Sequence, residues 1–323
     1  MKQLGLMSLP YTQEQIEKIA LTAARGGFEL LDLRACAREQ LSQDALRDCE
    51  ILHGYFPAPL IKRAGALKWL HTPSAGVDRF VDESLYPNKD VILTNSSGAF
   101  GVSIAEYLLC ALLMLLRHMD RYMLAQRRRE WAYLGSAGQI DRMRITVVGL
   151  GDIGSNFARR ARAMGARVRG VRRTQAPCPD YLEAVYAVSQ LDEALKDADA
   201  VALCLPGTID TRNLLNQRRI RALKKGAYVL NAGRGQCLDQ VALRAALEDG
   251  HIAGAALDVF ETEPLPPEDP LWSAPNLIIT PHISGRDTDP VNAARIFEIF
   301  MDNLNRYLDG RPLTNVVDRA LGY

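Results

Sequence analysis

Short apolar runs alternate with amphipathic segments over the first part of the chain. The segments at residues 13–25 and 58–64 have the apolar spacing of helices. The apolar runs around them predict β-strands at residues 3–6, 28–33, 50–53, 68–71 and 91–94. Strands that alternate with helices of this length pair in parallel through helical crossovers. The pattern therefore predicts an open α/β sheet.

A longer helical pattern follows, from about residue 103 to Arg129. It contains neither Pro nor Gly and its apolar face is continuous, which predicts one long helix that bridges two domains. Its longest apolar run, residues 108–116, is far shorter than the roughly 20 residues that span a bilayer. We therefore expect a buried helix and no membrane association.

The alternation of strand and helix restarts after residue 144. Apolar runs at residues 145–148, 167–171, 200–205, 228–231, 255–259 and 277–280 predict further strands. Apart from Arg167 and Arg169, these runs are almost entirely apolar, which is typical of parallel strands buried on both faces. A last helix is predicted over residues 290–308, before Gly310. The expected fold class is α/β, with two doubly wound parallel sheets.

Length and composition agree with a folded two-domain protein. The chain has 323 residues, of which 48% are hydrophobic and 24% charged. Lys and Arg total 39 against 38 Asp and Glu, so the chain lacks the basic excess of a strong nucleic-acid binder. The N-terminal segment has no apolar core followed by a small-residue cleavage site, and the six cysteines show no C-x-x-C spacing. We expect a cytoplasmic protein with reduced cysteines, no nucleic-acid or membrane partner, and no metal.

A glycine motif follows the strand predicted at residues 145–148. Gly149, Gly151 and Gly154 form G-x-G-x-x-G, with Asp152 and Ile153 between the last two glycines and a helical pattern after them. The first glycine allows a tight turn, the second lets a pyrophosphate approach the backbone, and the third lets the helix pack on the strand. In a strand-turn-helix context this motif predicts a dinucleotide site.

The next predicted strand ends in basic residues. An acidic residue that binds the ribose 2′-hydroxyl of NAD is expected about 20 residues after the glycines, but Arg172, Arg173 and Thr174 stand there. Guanidinium groups offer charge-assisted hydrogen bonds to a 2′-phosphate. The sequence therefore predicts NADP(H) as the preferred cofactor, with NAD(H) possible. Two solvated surface arginines are the alternative.

Further polar residues stand at the ends of later strands. Arg234 lies between two glycines, Asp258 lies at the end of the strand at residues 255–259 with Glu263 after it, and His282 follows the strand at residues 277–280. Each of these alone is more often structural than catalytic. A histidine, a carboxylate and an arginine at one sheet edge form a candidate acid-base site with an electrophilic anchor.

The order and spacing of five motifs resemble one family. The motifs are residues 149–154, Leu205-Pro206 with Thr208 and Thr211, residues 231–235, residues 258–264, and Pro281-His282. The chain resembles the D-isomer-specific 2-hydroxyacid dehydrogenases, a family that includes glyoxylate, hydroxypyruvate and phosphoglycerate dehydrogenases. The resemblance extends from Ser74 to the tail at residues 313–318, and the earlier α/β pattern is compatible with it.

The resemblance implies a role for each matching residue. Arg234 would bind the substrate carboxylate and polarise the carbonyl, His282 would give and take the proton, and Glu263 would pair with His282. Asp258 would face the nicotinamide carboxamide. The cofactor side would further include Leu205, Pro206, Thr211, Ala232, His282 and Ser284. The backbone N–H groups of Ser74, Ala75, Gly76 and Val77 would meet the substrate carboxylate.

The family also implies a discontinuous architecture. A flavodoxin-like substrate domain would comprise residues 1–101 and 286–323, and an NAD(P)-binding Rossmann domain would be inserted at residues 102–285. Homodimers are usual in the family, and the run at residues 127–130 would border the dimer contact.

The function implied is hydride transfer between a nicotinamide dinucleotide and a small 2-oxo acid or D-2-hydroxy acid, which makes the protein an oxidoreductase acting on CH–OH donors. The loop Gly54, Tyr55, Phe56, Pro57 contains no basic residue, which disfavours a phosphorylated substrate. Two alternatives stay open: a dinucleotide-sensing, corepressor-like binding protein and a phosphoglycerate-type dehydrogenase. A formate-type dehydrogenase is weaker, because that reaction has no alkoxide to protonate.

Overall fold

The computed structural model describes residues 2–36, 41–42, 44–174 and 176–323. These residues form two compact units. The first comprises Met1–Phe100 and Arg286–Tyr323, and the second comprises Gly101–Gly285.

The described residues contain twelve strands and nine α-helices. The strands are β1 (Lys2–Met7), β2 (Phe28–Asp32), β3 (Cys49–Gly54), β4 (Trp69–His71), β5 (Ile92–Thr94), β6 (Arg144–Val148), β7 (Arg167–Arg172), β8 (Ala184–Ala187), β9 (Ala200–Leu203), β10 (Ala227–Asn231), β11 (Ile252–Leu257) and β12 (Leu277–Ile279). The helices are α1 (Gln13–Ala24), α2 (Ala58–Arg63), α3 (Gly101–Leu116), α4 (Met119–Arg127), α5 (Asp152–Ala163), α6 (Leu191–Leu195), α7 (Gln217–Ala222), α8 (Gln240–Glu248) and α9 (Pro290–Leu308).

The first unit is built on a five-stranded sheet of order β2-β1-β3-β4-β5. All its strand pairs are parallel. Strand order reverses between β1 and β3, and ligands of such sheets bind beyond the carboxyl ends of the strands at that reversal. The flavodoxin-like order expected for this unit is therefore confirmed.

The second unit is built on a seven-stranded sheet of order β12-β11-β10-β9-β6-β7-β8. Its strands also pair in parallel, with β6 between β7 and β9. Here the order reverses between β6 and β9, as in Rossmann folds. The predicted α/β class with two parallel sheets is confirmed. The short edge strand β8 was not predicted; its apolar run is only four residues long, and all four are only half-buried.

Polar side chains lie inside the core of the first unit. His53 and His71, on the neighbouring strands β3 and β4, are both 0% exposed. The His53 ring is stacked on Phe300, with ring centroids 3.9 Å apart. Tyr11 lies 2.7 Å from Nε2 of His53, and Thr94 lies 2.7 Å from Nδ1 of His71. The hydrogen bonds offset part of the cost of burying these rings.

The long helix predicted from residue 103 to residue 129 is wrong. The chain leaves the helix after Leu116, His118 adopts a left-handed backbone with φ 55°, and α4 then starts at Met119. Non-local contacts stabilise the break, since the N–H of Gly138 donates to the carbonyl of Leu116 at 2.8 Å and Nε2 of His118 lies 3.1 Å from the carbonyl of Ser136. Local helix propensity does not reveal such contacts.

Within the residues that the structure describes, no single helix has both the length and the apolar character needed to cross a membrane. Helices α3 and α4 meet that criterion only when they are taken together, and they are bent by 66°.

Candidate functional site

The candidate residues of the second unit lie at one edge of its sheet. Neighbouring parallel strands end at the same edge, so the loops after β6, β9, β10, β11 and β12 lie side by side. Along the chain, these loops carry the following candidates: Gly149, Gly151 and Gly154 after β6; Leu205, Pro206 and Thr211 after β9; Ala232 and Arg234 after β10; Asp258 and Glu263 after β11; and His282 and Ser284 after β12. This edge includes the reversal of strand order between β6 and β9.

The glycine turn after β6 has the shape that a pyrophosphate requires. Gly149 has a φ of +98°, and a Cβ at this position would lie 2.4 Å from the carbonyl oxygen of Cys204. A Cβ on Gly154 would lie 1.8 Å from the carbonyl oxygen of Gly149. A Cβ on Gly151 would meet nothing within 4 Å. Two of the glycines are therefore required by close packing, and the middle one borders open space.

The amino terminus of α5 is available to an anion. Gly151 is its N-cap and no side chain caps the helix, so the first N–H groups are left to an external acceptor. The carboxylate of Asp152 accepts from Nδ2 of Asn156 at 2.9 Å and packs against Gly101. Ile153 is half-buried. This open cradle fits the diphosphate of a nicotinamide dinucleotide.

The end of β7 presents basic side chains. Arg172 is the last residue of the strand, and Arg172, Arg173 and Thr174 are all exposed. No acidic residue stands at these positions, so nothing in this segment repels a 2′-phosphate.

Close backbone packing holds Arg234 in place. A Cβ on Gly233 would lie 2.6 Å from the N of Leu205, and one on Gly235 would lie 1.9 Å from the carbonyl carbon of Phe260. Asn231 accepts from the N–H of Gly233 at 3.0 Å and donates to the carbonyl of Arg234 at 3.0 Å. The half-buried Arg234 donates from Nη1 to the Gly233 carbonyl at 2.8 Å. Both glycines are thus needed to fix the arginine at the end of β10.

His282 and Glu263 are brought together. Nδ1 of His282 lies 2.8 Å from Oε2 of Glu263, and Oε1 of the same carboxylate accepts the backbone N–H of Phe260 at 2.9 Å. The His282 side chain is 50% exposed and that of Glu263 is 35% exposed. The pair can therefore exchange a proton with a ligand at Nε2 while Glu263 orients the ring.

Asp258 lies inside the protein, under the loop that carries His282. It is 0% exposed. Its Oδ1 accepts from the Thr280 hydroxyl at 2.6 Å and from the N–H of Ile283 at 2.9 Å, and its Oδ2 accepts from the N–H of Ser284 at 2.9 Å. The structure thus shows Asp258 holding the His282 loop. The expected contact with a nicotinamide carboxamide stays a prediction.

The loop after β9 is held by Thr211. Its hydroxyl donates to the carbonyl of Pro206 at 2.8 Å and accepts the N–H of Thr208 at 2.8 Å. Leu205 and Pro206 are half-buried, and Ala232 and Ser284 are buried. The hydrogen bonds of Thr211 therefore fix the conformation of the loop that contains Leu205 and Pro206.

Residues 74–77 belong to the first unit, where they follow β4. The carbonyl oxygens of Ser74, Ala75 and Gly76 accept from Ser96, Asn95 and the Ser74 hydroxyl, respectively. Among the described residues, the N–H groups of Ala75, Gly76 and Val77 have no hydrogen-bond acceptor. Consecutive N–H groups of this kind bind carboxylates.

Sequence reasoning missed two residues of the site. Thr280 was recognised only as the end of a strand, and Tyr107 only as part of a helix. The Tyr107 hydroxyl lies 2.6 Å from the Thr280 hydroxyl. The two residues are 173 positions apart along the chain, so no local pattern could have indicated this contact.

Comparisons with known proteins agree with this geometry. The sequence profile of "D-isomer specific 2-hydroxyacid dehydrogenase, NAD binding domain" matches residues 109–284, which lie inside the second unit. The chain belongs to the D-isomer specific 2-hydroxyacid dehydrogenase family. Members of this family are NAD(P)-dependent oxidoreductases that act on CH–OH donors.

Individual family members are similar over most of this chain. A glyoxylate/hydroxypyruvate reductase A from Serratia proteamaculans is 33% identical over 279 residues, which are 83% of this chain and 85% of that protein. A D-3-phosphoglycerate dehydrogenase from Bacillus subtilis is 36% identical over 266 residues, 80% of this chain, but the chain spans only 49% of that enzyme.

A solved structure in the same family is similar over the whole chain. It is an NADPH-dependent glyoxylate/hydroxypyruvate reductase from Sinorhizobium meliloti, in complex with NADP and sulfate. It is 28% identical, has a TM-score of 0.83 and covers 100% of both chains. The family expected from the sequence motifs is thereby confirmed.

Proposed function

We propose that this 2-hydroxyacid dehydrogenase reduces small, unphosphorylated 2-oxo acids with NADPH and oxidises the matching D-2-hydroxy acids in reverse. The observation that carries the proposal is the His282–Glu263 pair, which lies at the same sheet edge as Arg234 and the open glycine cradle. A dinucleotide bound there supplies or accepts the hydride. The second unit is assigned to the cofactor and the first unit to the substrate.

The protein's own groups have separate tasks in this reaction. His282 donates a proton from Nε2 to the oxygen of the 2-oxo acid as the alkoxide develops, and takes it back during oxidation. Glu263 holds the ring through Nδ1. Arg234 binds the carboxylate with two parallel N–H groups and polarises the carbonyl. In the first unit, the N–H groups of residues 75–77 are assigned to carboxylate binding.

The preference for NADPH rests on the end of β7. Arg172 and Arg173 are exposed there, and no carboxylate is present at residues 172–174. A guanidinium binds a phosphate with charge-assisted hydrogen bonds worth roughly 1.5 to 3 kcal/mol each. Arg172 and Thr174 are assigned to the 2′-phosphate together with Arg173.

The choice of an unphosphorylated substrate rests on Tyr55. Burial raises the pKa of this hydroxyl, and the carboxylate of Asp287 beside it raises that pKa further. The positive charge of Arg79 acts on this pKa in the opposite direction and lowers it. The loop at residues 54–57 contains no basic residue and Asp287 places a negative charge beside Tyr55, so the loop itself offers a phosphate no cation.

A homodimer is part of the proposal. The segment from α4 to residue 133 exposes large apolar side chains: Met123 at 50%, Leu124 at 52%, Trp131 at 106% and Tyr133 at 84%. Exposed apolar groups in one segment mark an interaction surface, and we assign it to a second copy of this chain. A cytoplasmic location is proposed with it, in keeping with six free cysteines.

The test of the function is a panel of initial rates. NADPH and NADH are each assayed with glyoxylate, hydroxypyruvate, pyruvate and bulkier 2-oxo acids. We expect the highest kcat/KM for a small 2-oxo acid with NADPH. Binding of NADPH without turnover of any 2-oxo acid, together with a partner protein captured only in the presence of NADPH, would favour the corepressor-like alternative.

A further inference from the structure

The loop that carries His282 has an unusual backbone. His282 has a φ of 53°, a left-handed conformation that a non-glycine residue adopts only when its surroundings enforce it. On one side the Glu263 carboxylate holds the ring. On the other side the buried Asp258 carboxylate accepts three donors, from Thr280, Ile283 and Ser284. His282 is thus held by Glu263 through its ring, and Asp258 holds the Thr280 side chain before it and the backbone after it.

The Thr280 hydroxyl connects this loop to α3. It donates its only proton to Asp258, so the Tyr107 hydroxyl 2.6 Å away must donate to Thr280. Burial raises the pKa of Tyr107 to about 12, so this hydroxyl keeps its proton over the working pH range. The donors form one chain from Tyr107 through Thr280 to Asp258.

We propose that Tyr107 is a positioning residue for the acid-base group, acting on His282 through Thr280 and Asp258. The proposal rests on the proposed role of His282 as proton donor. Tyr107 hydrogen-bonds Thr280 and, among the described residues, makes no hydrogen bond to His282 or Glu263. Its hydroxyl fixes the rotamer of Thr280, Thr280 fixes one oxygen of Asp258, and Asp258 fixes the backbone N–H groups of the two residues after His282. The ring is thereby kept where Glu263 meets Nδ1.

The first test is kinetic. Tyr107→Phe removes one oxygen and keeps the ring. We expect kcat to fall about fivefold, which corresponds to the loss of one hydrogen bond. The KM values for the cofactor and for the 2-oxo acid should stay unchanged within about twofold. Thr280→Val should lower kcat further, about 20-fold, and Thr280→Ser should restore most of it. Because Tyr107 acts through Thr280, Tyr107→Phe should have no additional effect in the Thr280→Val background.

Tyr228→Phe is the matched control. Tyr228 is also half-buried in the second unit, and its hydroxyl has no hydrogen-bond partner among the described residues. This variant should keep wild-type kcat.

The second test needs neither cofactor nor turnover. The Nδ1 proton of His282, held by Glu263, should give a downfield imidazole resonance in the NMR spectrum of the cofactor-free protein, assigned by its loss in Glu263→Gln. Tyr107→Phe should broaden this resonance through faster exchange with water, whereas Tyr228→Phe and Thr280→Ser should not.

An unchanged kcat and an unchanged resonance in Tyr107→Phe would overturn the positioning role, as would additive losses in the double variant. Absence of activity on every 2-oxo acid would instead count against the proposed function, and the NMR comparison would still decide the role of Tyr107.

Discussion

Glu263 holds His282 from one side of the imidazole ring, with Oε2 2.8 Å from Nδ1. The other oxygen of Glu263 is fixed by the N–H of Phe260 at 2.9 Å, so the carboxylate cannot turn away without losing a second bond. Nε2 of His282 has no partner among the described residues and lies on a side chain that is 50% exposed. Glu263 therefore occupies Nδ1 and leaves Nε2 as the ring nitrogen that a ligand can meet.

Loss of the acid-base group should act mainly on turnover. We expect His282→Ala to lower kcat by roughly 10²- to 10⁴-fold, because it removes the proposed proton donor. Glu263→Gln keeps the shape and removes the charge, so it should have a smaller effect in the same direction. Glu261→Gln is the control, since Glu261 is exposed and pairs with Arg212 at 2.7 Å. Near-wild-type kcat of His282→Ala with a saturating 2-oxo acid would show that the role is wrongly assigned.

Removal of the arginine should act on binding as well. Arg234→Ala is expected to raise KM for the 2-oxo acid and to lower kcat, because the guanidinium binds the carboxylate in the ground state and polarises the carbonyl in the transition state. Steady-state kinetics with pyruvate and glyoxylate provide the check. Arg212→Ala, an exposed arginine in the same unit, should leave both constants unchanged. A lowered kcat with unchanged KM would show that Arg234 does not bind the substrate carboxylate in the ground state.

Parts of the fold and of the site could be predicted because their signals are local. Strand β9 is buried throughout, and β6 and β10 each have only one half-buried residue, so these strands appear in the sequence as apolar runs. The glycines around Gly151 stand at fixed spacing, because a tight turn and a close helix contact each require one. His282 and Arg234 could be proposed because strand ends of a parallel sheet share one edge.

Other features depend on contacts between distant parts of the chain. The break at His118 is stabilised by Ser136 and Gly138, and a continuous apolar face gives no sign of it. Asp258 stood out as a strand-end carboxylate, but only the structure shows that its oxygens hold the loop of His282.

The cofactor preference should depend on Arg172. Arg172→Asp is expected to lower kcat/KM with NADPH by about tenfold to hundredfold, the range of one charge-assisted hydrogen bond, and to leave NADH use equal or improved. The same substitution at Arg173 separates the contributions of the two arginines. Arg47→Asp, an exposed position in the first unit, makes the same change of net charge and should change neither value. Equal kcat/KM of the wild type with NADPH and NADH would indicate that both arginines are solvated surface residues without a role in cofactor preference.

Asp287 should help to exclude phosphorylated substrates. We expect the wild type to have a higher kcat/KM for hydroxypyruvate than for phosphohydroxypyruvate, and Asp287→Asn to narrow the difference, because it removes a negative charge beside Tyr55. Asp289→Asn is the control, since Asp289 is exposed and its side chain does not cap α9. A wild-type preference for phosphohydroxypyruvate would favour the phosphoglycerate-type alternative.

The buried histidines of the first unit should make the protein unstable in acid. Burial lowers the pKa of His53 from 6.5 to about 3, and burial together with the nearby His53 lowers the pKa of His71 well below 6.5. In the unfolded chain both rings bind protons near pH 6.5, whereas in the folded protein they stay neutral. Protonation therefore favours unfolding. Above about pH 6.5 the two rings are neutral in both states and do not lower the free energy of unfolding. Below that pH the free energy of unfolding falls progressively as the pH drops toward 3.

The size of this loss follows from proton linkage. Each histidine contributes a slope that approaches about 1.4 kcal/mol per pH unit once its unfolded form is fully protonated. Hydrogen exchange of the first unit at pH 7.5 and pH 5 measures the loss, and we expect β3 and β4 to lose protection most. His53→Gln should reduce the pH dependence although it lowers stability at pH 7.5, since Gln does not titrate. His251→Gln, in the second unit, should keep the steep fall. Equal protection of β3 and β4 at both pH values would mean that these rings accept protons without opening the fold.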